Sequence, residues 1–75
     1  MPSEQTRAEH IAWCKERAKA EMNFSGHPKE GIISMMSDLR KHPETRDETL
    51  QALCMMELMR NPNMAQALNF IDGFN

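Results

Sequence analysis

The sequence predicts an all-α protein, a compact bundle of four short helices that forms a single domain over residues 1–75. Its apolar residues recur at the three- and four-residue spacing of amphipathic helices. Valine and tyrosine, which favour strands, are absent. Proline and glycine divide the chain into four helical segments, and the dividing residues are Gly26, Pro28, Pro43, Pro62 and Gly73. Residues 1–5 precede the first helix signal and are expected to be flexible.

The first segment is predicted to run from about Arg7 to Met22, because Thr6 and Glu9 fit a capping box. Its apolar residues form two stripes on nearly opposite sides of the helix. One stripe contains Ile11, Cys14, Ala18 and Met22, and the other contains Trp13, Ala20 and Phe24. A helix with two stripes either touches two neighbours or leaves one stripe for a partner.

The second segment is predicted to begin at Pro28 and to stop at or before His42, because Pro43 disfavours helix in the residue before it. Its apolar residues have the clearest helical spacing in the chain, and they are Ile32, Met35, Met36 and Leu39. With the first segment it is expected to form a helical hairpin.

The third segment is predicted to begin at an N-cap that is either Thr45, in a capping box with Glu48, or Asp47, and to run to about Arg60. It is apolar on nearly all sides, which is typical of a helix at the centre of a bundle. The clustered methionines of the second and third segments are expected to fill the core, with an adaptable binding groove as the alternative. They are Met35, Met36, Met55, Met56 and Met59.

The fourth segment is predicted to begin after Asn63, a favoured N-cap that follows Pro62. Its inward stripe consists of Met64, Ala67, Leu68 and Ile71. Gly73 fits the left-handed position that ends many helices, and Phe74 is placed to make the accompanying apolar contact.

The sequence contains no pattern typical of an enzyme, so we expect no catalytic residue, no cofactor and no metal. His10 and Cys14 share a helix face, but structural zinc requires two closely spaced ligand pairs. Cys14 and Cys54 lie in apolar stripes, where a thiol stays protonated. A Gly-rich phosphate loop is absent. The sequence has no run of about 18 apolar residues that would predict a membrane span. The first ten residues lack a basic region followed by an apolar one, so no signal peptide is expected.

Six residues are candidates for binding a partner. They are Trp13, Lys15, Arg17, Lys19, Arg40 and Lys41. Tryptophan and arginine are frequent anchors of protein interfaces, although a single tryptophan in a small bundle also belongs naturally to the core. The cations favour nucleic acid as an alternative partner, but the formal net charge of -2 argues against it. A chain this short is marginally stable alone, so both a monomer and a homodimer remain open.

Two stretches, Ser34–Thr45 and Phe70–Asn75, resemble small uncharacterised proteins encoded by tailed bacteriophages. The resemblance covers roughly residues 14–75, and it departs at the turn Ser25–Pro28, where the relatives more often carry Gly-Asp. It implies a viral protein in the host bacterial cytoplasm. There it would bind a host or phage protein as an accessory or inhibitor in host takeover. The alternatives are a nucleic-acid-binding regulator and a structural or assembly component of the virion.

Overall fold

Helices account for most of the chain in the computed structural model, which describes residues 6–74. The expectation for residues 1–5 therefore lies outside the described residues. Within 6–74 there are four α-helices and no strand, which confirms the all-α class. The helices are α1 (Arg7–Ser25), α2 (Pro28–Leu39), α3 (Glu48–Met59) and α4 (Met64–Asp72). In this range no helix is both long and apolar enough to cross a bilayer.

Side chains just outside three of the helices cap their N-termini, whereas His27, which precedes α2, makes no side-chain cap. The predicted capping box of α1 is confirmed, since the Glu9 amide donates to Thr6 Oγ1 at 3.1 Å and the Thr6 amide donates to Glu9 at 3.0 Å. Asn63 caps α4 as predicted and forms a capping box with Gln66. Asp47 is the N-cap of α3, and its carboxylate accepts from the Leu50 amide at 2.9 Å.

Thr45 is not a helix cap, so the alternative start of α3 at Thr45 is wrong. Its side chain is buried in the connection between α2 and α3. There the Thr45 hydroxyl donates to the Leu39 carbonyl at 2.7 Å, which satisfies an otherwise unpaired carbonyl at the end of α2.

The helices end differently from the predictions at two glycines. Gly26 has a φ of 74°, and this left-handed conformation ends α1 three residues later than predicted, after Ser25 rather than Met22. Gly73 has a φ of -76°, so the predicted left-handed ending of α4 is wrong. Its amide donates to the Asn69 carbonyl at 3.0 Å, which continues the helical turn.

The α2 helix packs against each of the other three, whereas α3 packs mainly on α2, so the prediction that the third helix lies at the centre is wrong. The most extensive contact joins α1 and α2, because Gly31 has no side chain to hold α1 away. A Cβ atom at Gly31 would lie within 3.0 Å of the Ala18 carbonyl oxygen. By contrast, α3 packs mainly on α2 and buries only one of its apolar sides.

The core lies where α1, α2 and α4 meet one side of α3. Its buried apolar side chains are Ile11, Cys14, Ala18, Met22, Ile32, Met35, Leu39, Cys54, Ala67, Ile71 and Phe74. The stripe of α1 that begins at Ile11 faces this core as predicted, and so does Met35 of α2.

Candidate partner-binding site

The second apolar stripe of α1 lies at the surface. Trp13 is half-buried and packs against the core, whereas Ala20 and Phe24 are exposed, Phe24 by 91%. Arg17 lies between them on the same side of the helix, because the four residues are separated by three or four positions. Within residues 6–74, Ala20 and Phe24 therefore remain at the surface, whereas Trp13 and Arg17 contact residues at the end of α2.

Asp38 holds two cations beside this stripe. Its side chain, at the end of α2, is only 2% exposed. Arg17 Nε donates to Asp38 Oδ2 at 2.7 Å, and Lys41 Nζ lies 3.0 Å from Asp38 Oδ1. The pKa of Arg17 is raised above its ordinary value. The larger cause is the hydrogen bond to Asp38, and the smaller is the negative charge of that carboxylate. Both cations keep about half of their side-chain surface exposed.

Trp13 lies among these cations. The Arg17 guanidinium is 5.0 Å from the centre of the indole ring and Lys41 Nζ is 5.5 Å from it, both within cation–π range. The His10 ring stacks on Trp13 with centres 5.4 Å apart. His10 is buried, and its Nε2 donates to the main-chain carbonyl of Asp38 at 2.8 Å. The indole is therefore held between the core and the surface.

The other three candidate cations lie elsewhere and join pairs of helices. Lys15 Nζ donates to the Asp72 carbonyl at 3.0 Å, and Lys19 Nζ forms an ion pair with the Asp72 carboxylate at 2.7 Å. Both contacts connect α1 to the end of α4. Arg40 Nε donates to Gln51 Oε1 at 3.0 Å and connects the end of α2 to α3.

The structure thus brings together three of the six predicted residues. Trp13, Arg17 and Lys41 form one cluster, whereas Lys15 and Lys19 bind Asp72 and Arg40 binds Gln51. Asp38, which organises the cluster, is not one of the six predicted residues. Its position near the C-terminus of α2 could have drawn attention to it. The helix dipole disfavours an anion there, so an acidic residue at this position indicates that a cation lies close.

A second exposed surface, on α3, was not predicted. We define the α3 face as Ala52, Met55, Met56 and Met59, all of which are exposed, Met56 by 62% and Met59 by 77%. The prediction that Met55, Met56 and Met59 fill the core is wrong, because α3 meets α2 with its opposite side. The signal was present in the sequence, since these four residues follow the spacing of a helical stripe.

Two shallow apolar grooves flank the α3 face. One, of about 340 Å³, lies between α2 and α3. Its apolar lining consists of Ile33, Met36, Met55 and Leu58. The other, of about 440 Å³, lies between α3 and the end of α4. Its apolar lining consists of Leu50, Leu53, Phe70 and Phe74.

Neither thiol is placed to act as a nucleophile. Cys14 and Cys54 are both buried and unpaired. Burial is the main cause that raises the pKa of Cys14 to about 12, and it raises the pKa of Cys54 to about 11. A thiol with such a pKa is protonated at neutral pH and unreactive. Among residues 6–74, no group of three or more histidine, cysteine or acidic side chains could hold a metal ion.

The chain was also compared with known proteins. No protein-family model matches it, and neither a curated protein nor a solved structure does so.

Proposed function

We propose that the protein acts without catalysis, by binding another protein through the outer side of α1. We define this α1 surface as Trp13, Arg17, Ala20 and Phe24 together with Lys41. The observation that carries the proposal is the outer stripe of α1, with the half-buried Trp13 at one end, the exposed Phe24 at the other and Arg17 between them. Apolar surface that a fold leaves exposed is typical of an interaction site where it forms a patch.

The α1 surface has two properties of a binding site. Its residue types are those that most often anchor protein interfaces, since tryptophan and arginine dominate measured hot spots. In addition, the ion pairs with Asp38 hold Arg17 and Lys41 in place before a partner arrives. Less side-chain entropy is then lost on binding, which favours affinity.

The proposed setting is that of a small phage-encoded accessory protein in the cytoplasm of a host bacterium. It is supported by the resemblance of Ser34–Thr45 and Phe70–Asn75 to tailed-phage proteins. The target would be a host or phage protein, such as a host enzyme, a transcription component or a defence complex. The more specific proposal is that the protein inhibits this target.

The test is affinity capture of the tagged protein from bacterial extract, followed by calorimetric titration with the purified partner. Phe24→Lys is expected to weaken binding at least about tenfold, because it removes the most exposed anchor. The substitution lies in the last turn of α1, where a cation is tolerated by the helix dipole.

Met59→Lys is the matched control, since it places the same cation in the last turn of α3, away from the α1 surface. Its affinity per site is expected to equal that of the wild type. Equal loss of binding by both variants, or a partner that binds Phe24→Lys normally, would contradict the proposed site. Duplex DNA bound at physiological ionic strength, with no protein captured, would favour the nucleic-acid alternative. Recovery of the chain from purified virions would favour the alternative that it is a structural component of the virion.

A further inference from the structure

We infer that the α3 face binds the α3 face of a second copy of this chain, with the two helices antiparallel, to form a symmetric dimer. The inference uses no residue of the α1 surface, so it does not depend on the proposed function. It accounts for the apolar side of α3 that residues 6–74 leave uncovered. The argument rests on the charges at the ends of α3, the sizes of its side chains and the shape of its surroundings.

Oppositely charged residues flank α3, with Glu48 at its start and Arg60 just after its end. Glu48 is the first residue of α3, is exposed, and forms no ion pair with another residue of the described range. Arg60 follows the last residue and has an exposed side chain, with only a long contact of 3.4 Å to Glu57. A two-fold axis through the middle of α3 would place each Glu48 beside Arg60 of the other copy. A parallel arrangement would instead bring like charges together.

The same axis sets a small side chain opposite a large one at two places, whereas Met55 would face Leu53. With Glu48 opposite Arg60, position 54 lies on the axis, so Ala52 of one copy would face Met56 of the other. Met59 would face Thr49, which is the smaller of the two. Facing pairs of unequal size allow the two helices to approach closely without leaving voids.

The surroundings of the face suit an identical partner. The exposed methionines form a ridge, and the flanking grooves of about 340 and 440 Å³ are lined by apolar side chains such as Ile33 and Leu53. The same surface therefore offers both a ridge and grooves, as a self-complementary contact requires. Methionine side chains adapt to such grooves because they are flexible and polarisable.

The test is sedimentation equilibrium of the full chain over a range of concentrations at physiological salt. The wild type is expected to dimerise, and Met56→Lys is expected to raise the dissociation constant at least tenfold. Far-UV circular dichroism of the variant should match that of the wild type, because Met56 is exposed in the single chain. A wild type that stays monomeric up to millimolar concentration would overturn the inference, even if partner binding through the α1 surface persists.

A charge exchange tests the antiparallel geometry. Glu48→Arg and Arg60→Glu are each expected to weaken the dimer, because each places like charges opposite one another. The variant that carries both changes is expected to recover most of the wild-type affinity. If the double variant loses as much dimer affinity as the two single variants lose together, the proposed pairing is wrong. It is also wrong if neither single variant weakens the dimer. Phe24→Lys is the control and should dimerise like the wild type.

Discussion

Thr45 provides the sharpest stability test, because its buried hydroxyl makes one short hydrogen bond and only one longer contact, of 3.4 Å, to the His42 carbonyl. The hydroxyl donates to the Leu39 carbonyl at 2.7 Å, and the side chain is fully buried. Substitution of Thr45 by valine keeps the branched shape and removes only the donor. The Leu39 carbonyl, at the C-terminal end of α2, would then lose this partner.

The expected cost follows from two opposing contributions. A buried carbonyl that loses its hydrogen bond costs about 1–3 kcal/mol. The added methyl group of valine gains up to about 0.8 kcal/mol by burial. We therefore expect Thr45→Val to lower the free energy of unfolding by about 1.5 kcal/mol. For a domain of this size that loss lowers the melting temperature by about 6–12 °C.

Urea denaturation followed by far-UV circular dichroism measures this loss. Thr49→Val is the matched control, because Thr49 undergoes the same chemical change at an exposed position in the first turn of α3. It should change the free energy of unfolding by less than about 0.5 kcal/mol. If Thr45→Val is as stable as Thr49→Val, the Thr45 hydroxyl does not contribute as argued.

Three further predictions concern packing, capping and the thiols. Gly31→Ala should lose about 1 kcal/mol in thermal unfolding, because the added Cβ would overlap the Met22 side chain and crowd the Ala18 carbonyl, which outweighs the gain in helix propensity; greater stability would contradict this. Asn63→Ala should lose about 1 kcal/mol in urea denaturation, and no change would contradict the capping box. Cys14 and Cys54 should react with a thiol reagent only after unfolding. Their folded pKa values lie above the ordinary value of 9.0, so stability should fall as the pH rises above 9. Reaction of either cysteine with the thiol reagent in the folded protein would contradict the burial of that side chain.

The helix starts were predictable from the sequence because their causes are local. Thr6 and Asn63 each bond an amide three residues ahead, so residue type and spacing are sufficient to identify the cap. Gly73 shows the limit of such signals, because a glycine permits a left-handed ending without requiring one. Thr45 shows another limit, since a distant carbonyl competes successfully for its hydroxyl.

The covered side of α3 could not be predicted from the sequence. Hydrophobic periodicity identifies the apolar sides of a helix, but it does not say which side meets a neighbour. The close approach of α1 to Gly31 places α2 among the other three helices, and α3 then has only one side to bury. The methionines of the α3 face remain outside as a result.

The sequence by itself determined the all-α class, most of the helix starts and the residue types of the α1 surface. Only the tertiary structure decided which of those residues act together, because Asp38 reaches Arg17 from 21 positions away. Backbone hydrogen bonds and caps depend on neighbours within one turn, so they can be derived from short segments. Contacts between helices depend on how whole surfaces fit, and that fit is a property of the folded chain.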